Sequence, residues 1–346
     1  MDRRHYGSNY DLVTMEIGKE WLEKARCYNA GLASCTGAHA FSALFHDCGH
    51  PMRILLFGKN GQLGWELQRS LAPLGDVIAL GTNDQPCADF TRPSDVAATV
   101  RALAPDIIVN AAAYTAVDKA ETDAQTAMTV NGVTPGILAE VAAGLGAWMV
   151  HYSTDYVFDG GGVTPWREDD AVAPLNEYGR GKLAGEENIR ASGCKHLIFR
   201  TSWVYAARGG NFARTMLKLA QDRDALKVID DQFGVPTGAD LLADLTGHAL
   251  RSALQAPDLA GVYHAAPAGE TTWHGYATHV IARARAAGVP LRVAPDAIEA
   301  VPTSAFPTPA RRPANSRLNT GKLRKTFGLH LPDWRIGVDR MLTEIL

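Results

Sequence analysis

The stretch RILLFGKNGQLG, residues 53–64, decides the fold. A mostly apolar run predicts a buried β-strand, and Gly58, Gly61 and Gly64 follow it at the start of an amphipathic stretch that predicts a helix. Glycines at this spacing let the chain turn tightly, approach a pyrophosphate and pack the helix close to the sheet. The free N–H groups at the start of such a helix attract phosphate. The stretch therefore predicts the first unit of a dinucleotide-binding domain.

From residue 52 onward, short apolar runs alternate with amphipathic stretches, as strands and helices do in α/β proteins. The runs are continuous, which is typical of parallel strands covered by helices on both faces. We predict an α/β fold: a doubly wound parallel sheet of the Rossmann type with a smaller α/β lobe that binds the substrate. The predicted strands are 53–57, 77–80, 107–110, 149–153, 196–201, 227–229, 261–264 and 291–294. The predicted helices are 62–72, 92–103, 116–145 with a break, 178–191, 212–222, 240–254 and 273–287.

The chain of 346 residues is long enough for two domains. We expect residues 52–201 and about 238–266 to bind the dinucleotide, and about 202–237 and 267–346 to bind the substrate. Residues 1–51 show no sustained hydrophobic period, and we expect them to form a poorly ordered N-terminal extension.

Charge and composition argue against several classes of partner. A formal net charge of −3 and a pI near 6.4 predict no basic surface for nucleic acid or for an anionic membrane. The sequence contains no run of 18 apolar residues and no signal peptide. Its five cysteines are odd in number and widely spaced, which is typical of reduced thiols. We therefore expect a cytoplasmic protein that binds neither nucleic acid nor membrane.

Tyr178 and Lys182 lie four residues apart, on one face of a predicted helix. We expect the ammonium of Lys182 to lower the pKa of the Tyr178 hydroxyl from about 10, which suits a proton donor. On a solvent-exposed helix the same spacing usually occurs by chance, so the neighbouring residues decide whether the pair is functional. Thr154 ends the fourth predicted strand, at the sheet edge where doubly wound folds bind ligands. Together the three predict reduction of a carbonyl by a nicotinamide cofactor.

The cofactor is expected to contact the glycine turn and the ends of the next strands. The end of the second strand, LGTN at 80–83, offers no acid for a ribose 2′-hydroxyl, whereas Lys59 can approach a 2′-phosphate. We therefore favour NADPH as the cofactor, with NADH as the alternative. The predicted cofactor contacts are Gly58, Lys59, Asn60, Gly61, Gln62, Leu63, Gly64, Asp89, Phe90, Ala111, Ala112, Ala113, Tyr114, Tyr178 and Lys182.

The glycine turn, STDYVFDG at 153–160 and YGRGK at 178–182 resemble the extended short-chain dehydrogenase/reductases. Four further segments resemble the dTDP-4-dehydrorhamnose reductase family within that superfamily: AYTAVDKAE at 113–121, RTSWVY at 200–205, NF at 211–212 and DQFGVPT at 231–237. The resemblance covers residues 52–346. It implies NADPH-dependent reduction of the C4 ketone of dTDP-4-dehydro-L-rhamnose to dTDP-L-rhamnose, a nucleotide sugar for lipopolysaccharide or cell-wall polysaccharide.

The resemblance also implies roles for particular residues. Thr154, Tyr178 and Lys182 would form the catalytic triad, and Val117, Thr154, Tyr156 and Trp203 would contact the substrate. Some members of the family are dimers joined through magnesium, and the matching positions are Glu66 and Asp240. Because Asp240 is one methylene shorter than the glutamate of that pattern, we do not expect a dependable Mg²⁺ bridge; a homodimer is left open.

Two alternative functions remain at this point. Another sugar-nucleotide epimerase or dehydratase would keep Tyr178 and Lys182. Dehydratases, however, typically carry an Asp-Glu pair beside the threonine, whereas Asp155 and Tyr156 follow Thr154 here. A non-catalytic regulatory subunit with a reductase-like fold could lose its catalytic residues, whereas all three are present in this chain.

Overall fold

Strands and helices alternate along residues 51–346, the part of the chain that the computed structural model describes. The predicted extension, residues 1–51, lies outside the described residues apart from Pro51. The strands are β1 Arg53–Phe57, β2 Asp76–Leu80, β3 Ile107–Asn110, β4 Trp148–Thr154, β5 Lys195–Thr201, β6 Val204–Tyr205, β7 Leu226–Ile229, β8 Phe233–Gly234, β9 Thr237–Gly238, β10 Gly261–His264, β11 Thr271–Thr272 and β12 Ile298–Val301. The helices are α1 Gln62–Leu71, α2 Pro93–Leu103, α3 Val117–Ala120, α4 Ala124–Met128, α5 Thr134–Leu145, α6 Glu177–Ala191, α7 Phe212–Asp222, α8 Ala239–Gln255, α9 Trp273–Ala286, α10 Gly321–Phe327 and α11 Trp334–Ile345.

Six parallel strands form the central sheet, in the order β2, β1, β3, β4, β5, β10. This confirms the predicted doubly wound parallel sheet. The chain runs outward from β1 to β2 and then returns to β3 on the other side, so the order reverses between β1 and β3. In such sheets ligands bind outside the carboxyl ends of the strands at this reversal.

The sheet has a hydrophobic core on each face. Successive side chains of a strand point to opposite faces, and β1 supplies both cores. Ile54 and Leu56 pack with side chains of α1 and α8, whereas Leu55 and Phe57 pack with side chains of α2 and α5. All four are fully buried, which explains why β1 reads as a continuous apolar run.

The elements outside the central sheet are smaller. Pairs of short strands, β6 with β9, β7 with β12 and β8 with β11, accompany α7, α9 and α11. No helix of the described residues has the length and apolar character that a bilayer crossing requires.

The strand predicted at 291–294 is wrong. The N–H groups of Arg292 and Val293 both donate to the carbonyl of Ala220, so this segment covers the end of α7. The strand that pairs with β7 is β12, which begins at Ile298. Val293 is buried among side chains of α7, α9 and β7 without itself pairing in a sheet, which an apolar run alone does not reveal.

Helix α6, which carries Tyr178 and Lys182, lies unusually close to its neighbours. It begins after Asn176, whose side-chain oxygen accepts a hydrogen bond from the N–H of Gly179 at 2.8 Å. A Cβ on Gly179 would overlap the carbonyl of Tyr156, and a Cβ on Gly185 would overlap the carbonyl of Asn131. Glycine therefore lets the helix backbone approach the loop after β4 at Gly179 and the turn that contains Asn131 at Gly185.

A buried ion pair ties α6 to the sheet. The carboxylate of Glu186 accepts hydrogen bonds from Arg200 Nε at 2.9 Å and Nη2 at 2.7 Å, and Ser153 Oγ also donates to it. The side chains of Glu186 and Arg200 are 0% and 4% exposed. A bidentate ion pair of this kind fixes the relative orientation of the two side chains as well as the distance between them.

We predict that Arg200→Met lowers the free energy of unfolding by about 3–5 kcal/mol, because it leaves the Glu186 charge buried without a partner. The matched control is Arg180→Met, which removes the exposed pair with Glu177 on the same helix and should cost less than about 1 kcal/mol. Urea unfolding followed by circular dichroism measures both. Equal losses for the two variants would contradict the role of the buried pair.

Candidate active site

Two glycines of the turn after β1 are required by close contacts. Gly58 has φ +86°, and a Cβ on it would lie 2.7 Å from the backbone of Ala111 and Ala112. A Cβ on Gly64 would overlap the carbonyl of Gly58. Gly61 precedes α1, and no side chain of the described residues caps this helix. The first N–H groups of α1 are thus left to bind an anion, which fits the pyrophosphate of a dinucleotide.

The end of β2 differs from the sequence-based expectation, which found no acid there. The carboxylate of Asp84 turns back, accepts a hydrogen bond from the N–H of Gly81 at 2.8 Å and pairs with the ammonium of Lys59. The Lys59 hydrogen bond, followed by the Gly81 N–H, lowers the pKa of Asp84. An acceptor for a ribose 2′-hydroxyl and a cation for a 2′-phosphate therefore lie side by side.

Two predicted cofactor contacts follow the turn after β2. The Asp89 carboxylate accepts from the backbone N–H and the hydroxyl of Thr91 at 2.9 and 2.8 Å, which orders the turn before α2. The side chain of Phe90 is buried, with its ring 5.3 Å from that of Phe57. Phe90 is thus packed in the core, and its backbone is the part that borders the turn.

The predicted contacts after β3 are held by side-chain hydrogen bonds. Tyr114 N–H donates to Asn131 Oδ1 at 2.9 Å, and Asn131 Nδ2 donates to the carbonyl of Tyr114 at 3.0 Å. The Tyr114 hydroxyl donates to Asp123 at 3.0 Å. Asn131 belongs to a π-helical turn, Thr129–Val133, a feature frequent at functional sites.

Thr154 and Tyr178 meet at the carboxyl end of β4. The hydroxyl of Thr154 donates to Asp155 Oδ1 at 2.9 Å, accepts from the N–H of Tyr156 at 3.2 Å and lies near Tyr178. Burial, and then the charge of Asp155, raise the pKa of Tyr178 to about 12, although the nearby Thr154 hydroxyl acts in the opposite direction. The expectation that the pKa of Tyr178 is lowered is therefore wrong, because loss of hydration outweighs the nearby hydroxyl.

Lys182 lies one turn beyond Tyr178 on the same face of α6 and is 2% exposed. Burial lowers the pKa of its ammonium to about 8. Near neutral pH the site therefore combines a protonated tyrosine with a lysine that readily changes its charge. Thr154 lies near Tyr178, and Lys182 shares a face of α6 with Tyr178; the catalytic roles of the three residues stay a prediction.

A cavity of about 280 Å³ lies beside this cluster. Tyr156 lines it, and the ring of Tyr156 meets that of Tyr178 edge to face at 5.7 Å. The cavity is mostly apolar with a few polar groups, which is typical of a small-molecule site. Its lining residues are Tyr156, Phe212, Met216, Lys227, Val228, Ile229, Gln232, Trp273, Thr303, Phe306, Thr308 and Arg312.

Sequence reasoning assigned a role to Tyr156 of this cavity but none to Gln232 or Arg312. Gln232 is fixed in place, because it accepts from Trp273 Nε1 and donates to Thr303 Oγ1, both at 3.0 Å. Arg312 donates through Nη2 to Asp118 at 2.8 Å, and its buried Nη1 has no hydrogen-bond partner within residues 51–346. The segment DQFGVPT and the arginine pair in the Pro-rich segment 301–313 were the available signals.

Trp203 lies in the left-handed backbone region, with φ 47°, and stacks on Trp273 with ring centroids 3.7 Å apart. A Cβ on Gly234 would come within 2.8 Å of the Trp203 ring. Trp203 therefore packs against protein on its ring face, and Trp273 is the one that lines the cavity. Val117 begins α3 and is partly buried. Contact of Trp203 and Val117 with a sugar stays a prediction.

The two acids named for magnesium are each paired with an arginine. Glu66 lies 3.4 Å from Arg69, and Asp240 lies 3.1 Å from Arg340. Among the described residues no group of three His, Cys, Asp or Glu side chains could hold a metal ion. Arginine neutralises each carboxylate, so these residues do not fit a magnesium ion within one chain.

Comparison with known proteins identifies relatives of this chain. A model of the RmlD substrate binding domain matches residues 52–346. The chain is 59% identical over 295 residues to the dTDP-4-dehydrorhamnose reductase of Escherichia coli (strain K12), which covers 85% of this chain and 98% of that protein. Identity to the protein of the same name from Salmonella typhimurium is 58%, over the same shares of each chain. The crystal structure of dTDP-4-dehydrorhamnose reductase from Bacillus anthracis, in complex with NADP, has a TM-score of 0.76 and 32% identity, and covers 85% of this chain and 99% of that chain.

We predict that Asp84 and Lys59 set cofactor preference in opposite directions. Asp84→Asn removes a negative charge beside the 2′-position and should raise the affinity for NADP⁺ relative to NAD⁺ by about threefold to fivefold. Lys59→Met should lower that ratio by a similar factor. Isothermal titration calorimetry with each oxidised cofactor measures the ratio.

The control is Lys195→Gln, which removes a positive charge at the amino-terminal end of β5, the opposite edge of the sheet. It should leave the ratio unchanged. If Asp84→Asn shifted the affinities for NADP⁺ and NAD⁺ equally, the assignment of the 2′-position would be wrong.

Proposed function

This chain belongs to the dTDP-4-dehydrorhamnose reductase family, and we propose that it reduces the C4 ketone of dTDP-4-dehydro-L-rhamnose to dTDP-L-rhamnose with NADPH. The observation that carries the proposal is the cluster of Thr154, Tyr178 and Lys182 beside a cavity at the carboxyl edge of the sheet, the same edge at which the glycine turn follows β1. The relatives that share this name match nearly their whole length.

The residues of the cluster divide the chemistry of reduction. NADPH, when bound, would supply the hydride that the ketone carbon needs. Tyr178 donates its hydroxyl proton to the ketone oxygen, so that ketone, hydride and proton give the alcohol. The hydroxyl hydrogen of Thr154 is directed to Asp155, which leaves a lone pair of Thr154 to orient the Tyr178 hydroxyl. The ammonium of Lys182 favours the negative charge that develops on Tyr178 as its proton leaves.

We propose that the cavity beside Tyr156 holds the nucleoside diphosphate of the substrate. The unpartnered Nη1 of Arg312 would bind a phosphate oxygen, since a guanidinium suits phosphate geometry. The apolar rings of Trp273 and Phe306 would contact the base. This places the sugar between Arg312 and Tyr178, with the ketone at the proton donor.

We propose that different parts of the chain bind the cofactor and the substrate. Residues 52–201 and about 238–266 would bind the dinucleotide, and about 202–237 and 267–346 the nucleotide sugar. Within residues 51–346 the two cysteines, Cys87 and Cys194, are free thiols, which supports work in the reducing cytoplasm. The chain is proposed to form a homodimer that does not depend on magnesium, because Glu66 and Asp240 each form an ion pair with an arginine. Sedimentation that shows a monomer would refute this proposal. A dimer that dissociates when EDTA is added would refute it as well.

We predict that Tyr178→Phe lowers kcat by about 10²–10⁴-fold with little change in NADPH binding, because only the proton donor is lost. Consumption of NADPH, followed by its absorbance with dTDP-4-dehydro-L-rhamnose, measures the rate. The control is Tyr263→Phe, which removes a core hydroxyl bound to the carbonyl of Leu259. Full activity of Tyr178→Phe would refute the assigned donor. A wild-type protein that consumed no NADPH would favour a non-catalytic role.

We predict that Arg312→Met raises the KM for the nucleotide sugar about tenfold or more and changes kcat much less, because a charged hydrogen bond to phosphate is lost equally from substrate and transition state. The neighbouring Arg311→Met is the matched control, since Arg311 does not line the cavity. Steady-state kinetics and calorimetry with dTDP measure the effect. An unchanged affinity for dTDP in Arg312→Met would place the diphosphate elsewhere.

A further inference from the structure

A chain of hydrogen bonds runs from the loop after β3 to Lys182. The N–H of Ala112 donates to Asn110 Oδ1 at 3.0 Å. Asn110 Nδ2 lies 3.1 Å from Nδ1 of His151. The other ring nitrogen of His151, Nε2, lies 3.2 Å from the Nζ atom of Lys182. Asn110, His151 and Lys182 are at most 2% exposed, so water does not compete for these contacts.

Only one arrangement of hydrogens satisfies this chain. A backbone N–H is always a donor, so the amide oxygen of Asn110 faces Ala112 and its NH₂ group faces His151. An NH₂ group only donates, so Nδ1 of His151 accepts and carries no hydrogen. Burial lowers the pKa of His151 well below its usual value and keeps the ring neutral. The neutral ring therefore carries its hydrogen on Nε2, which points at Lys182.

A ring N–H that points at Lys182 can form a hydrogen bond with the neutral amine of the lysine but not with its ammonium. The amine has a lone pair and accepts the bond, whereas the ammonium has three donors and no acceptor. We propose that Asn110 and His151 are positioning residues that turn the ammonium of Lys182 away from β4, toward Tyr178 and the ribose of the cofactor. The proposal rests on the proposed function only in that it places the cofactor beside Lys182.

The charged groups that face Lys182 leave both its neutral amine and its ammonium accessible near neutral pH. Burial brings the pKa of Lys182 to about 8, and the carboxylate of Glu186, one turn further along α6, acts in the opposite direction. Glu186 is already matched by Arg200 of β5. Tyr178 holds its proton at neutral pH, and His151 is neutral. The ring nitrogen of His151 that carries the hydrogen then decides where the amine and the ammonium of Lys182 lie.

A purely structural role does not account for this ring. His151 lies in the middle of β4, with the buried residues Val150 and Tyr152 on either side. An apolar side chain there would avoid the burial of two ring nitrogens.

The tautomer of His151 is read directly by NMR of the full-length protein with ¹⁵N-labelled histidine. We expect hydrogen on Nε2 in the wild-type protein, where His151 is the histidine whose resonances shift in Lys182→Met. Asn110→Asp replaces the donor that faces Nδ1 by a carboxylate oxygen, so the hydrogen should move to Nδ1. Hydrogen on Nδ1 in the wild-type protein would overturn the proposal, and so would an Nε2 tautomer that persists in Asn110→Asp.

The pH dependence of NADP⁺ affinity, measured by calorimetry without sugar, tests the consequence. The wild-type protein should bind about tenfold more weakly at pH 9 than at pH 7, because only the ammonium form of Lys182 is turned toward the cofactor. In Asn110→Asp, Nε2 accepts from the ammonium and retains it at β4. Binding should then be about tenfold weaker at pH 7 and change less than about twofold up to pH 9.

The control for added charge is Asn188→Asp, which places a carboxylate on α6 outside this chain of hydrogen bonds. It should keep the wild-type pH dependence; the same loss of pH dependence in both aspartate variants would overturn the proposal. A protein that shows the expected tautomers and binding but does not reduce the sugar ketone would refute the proposed function and leave this inference standing.

Discussion

The buried ion pair between Glu186 and Arg200 is the interaction on which the geometry of the site depends. Tyr178, Lys182 and Glu186 follow one another at intervals of four residues, so they share the stripe of α6 that faces the sheet. Arg200 belongs to β5, and Ser153, which also binds Glu186, belongs to β4. The pair therefore holds this stripe over the carboxyl ends of two strands, and a shift of the helix would leave a charge buried without a partner.

Burial against the sheet also sets the chemistry of the cluster. Loss of hydration raises the pKa of Tyr178 and lowers that of Lys182, so each group moves toward its neutral form. The same cause raises the pKa of Asp155 to about 6. Because little water reaches these groups, the direction of each hydrogen bond matters more than it would at the surface.

The sequence predicted the features that depend on local pattern. Buried parallel strands read as continuous apolar runs, so the strands of the central sheet were found within one or two residues. The run at 291–294 was misread because Val293 is buried by packing against α7, α9 and β7 without forming a strand. The pairing of Asp84 with Lys59 was not predicted, because Asp84 lies beyond the strand end and reaches Gly81 only by a turn of the chain. Hydration, which no spacing encodes, decided the pKa of Tyr178.

By itself the sequence determined the fold class, the glycine turn and the cluster of Thr154, Tyr178 and Lys182, because strand patterns and helical spacing are properties of short segments. The tertiary structure alone decided which distant residues complete the site. Asn110 and His151 are 41 positions apart, and Asp118 and Arg312 are 194 apart. Asn110 and His151 meet because β3 and β4 pair side by side in the sheet, and Asp118 and Arg312 meet because the Pro-rich segment folds back to α3. Which atom donates and which accepts in each hydrogen bond is decided only after these residues meet.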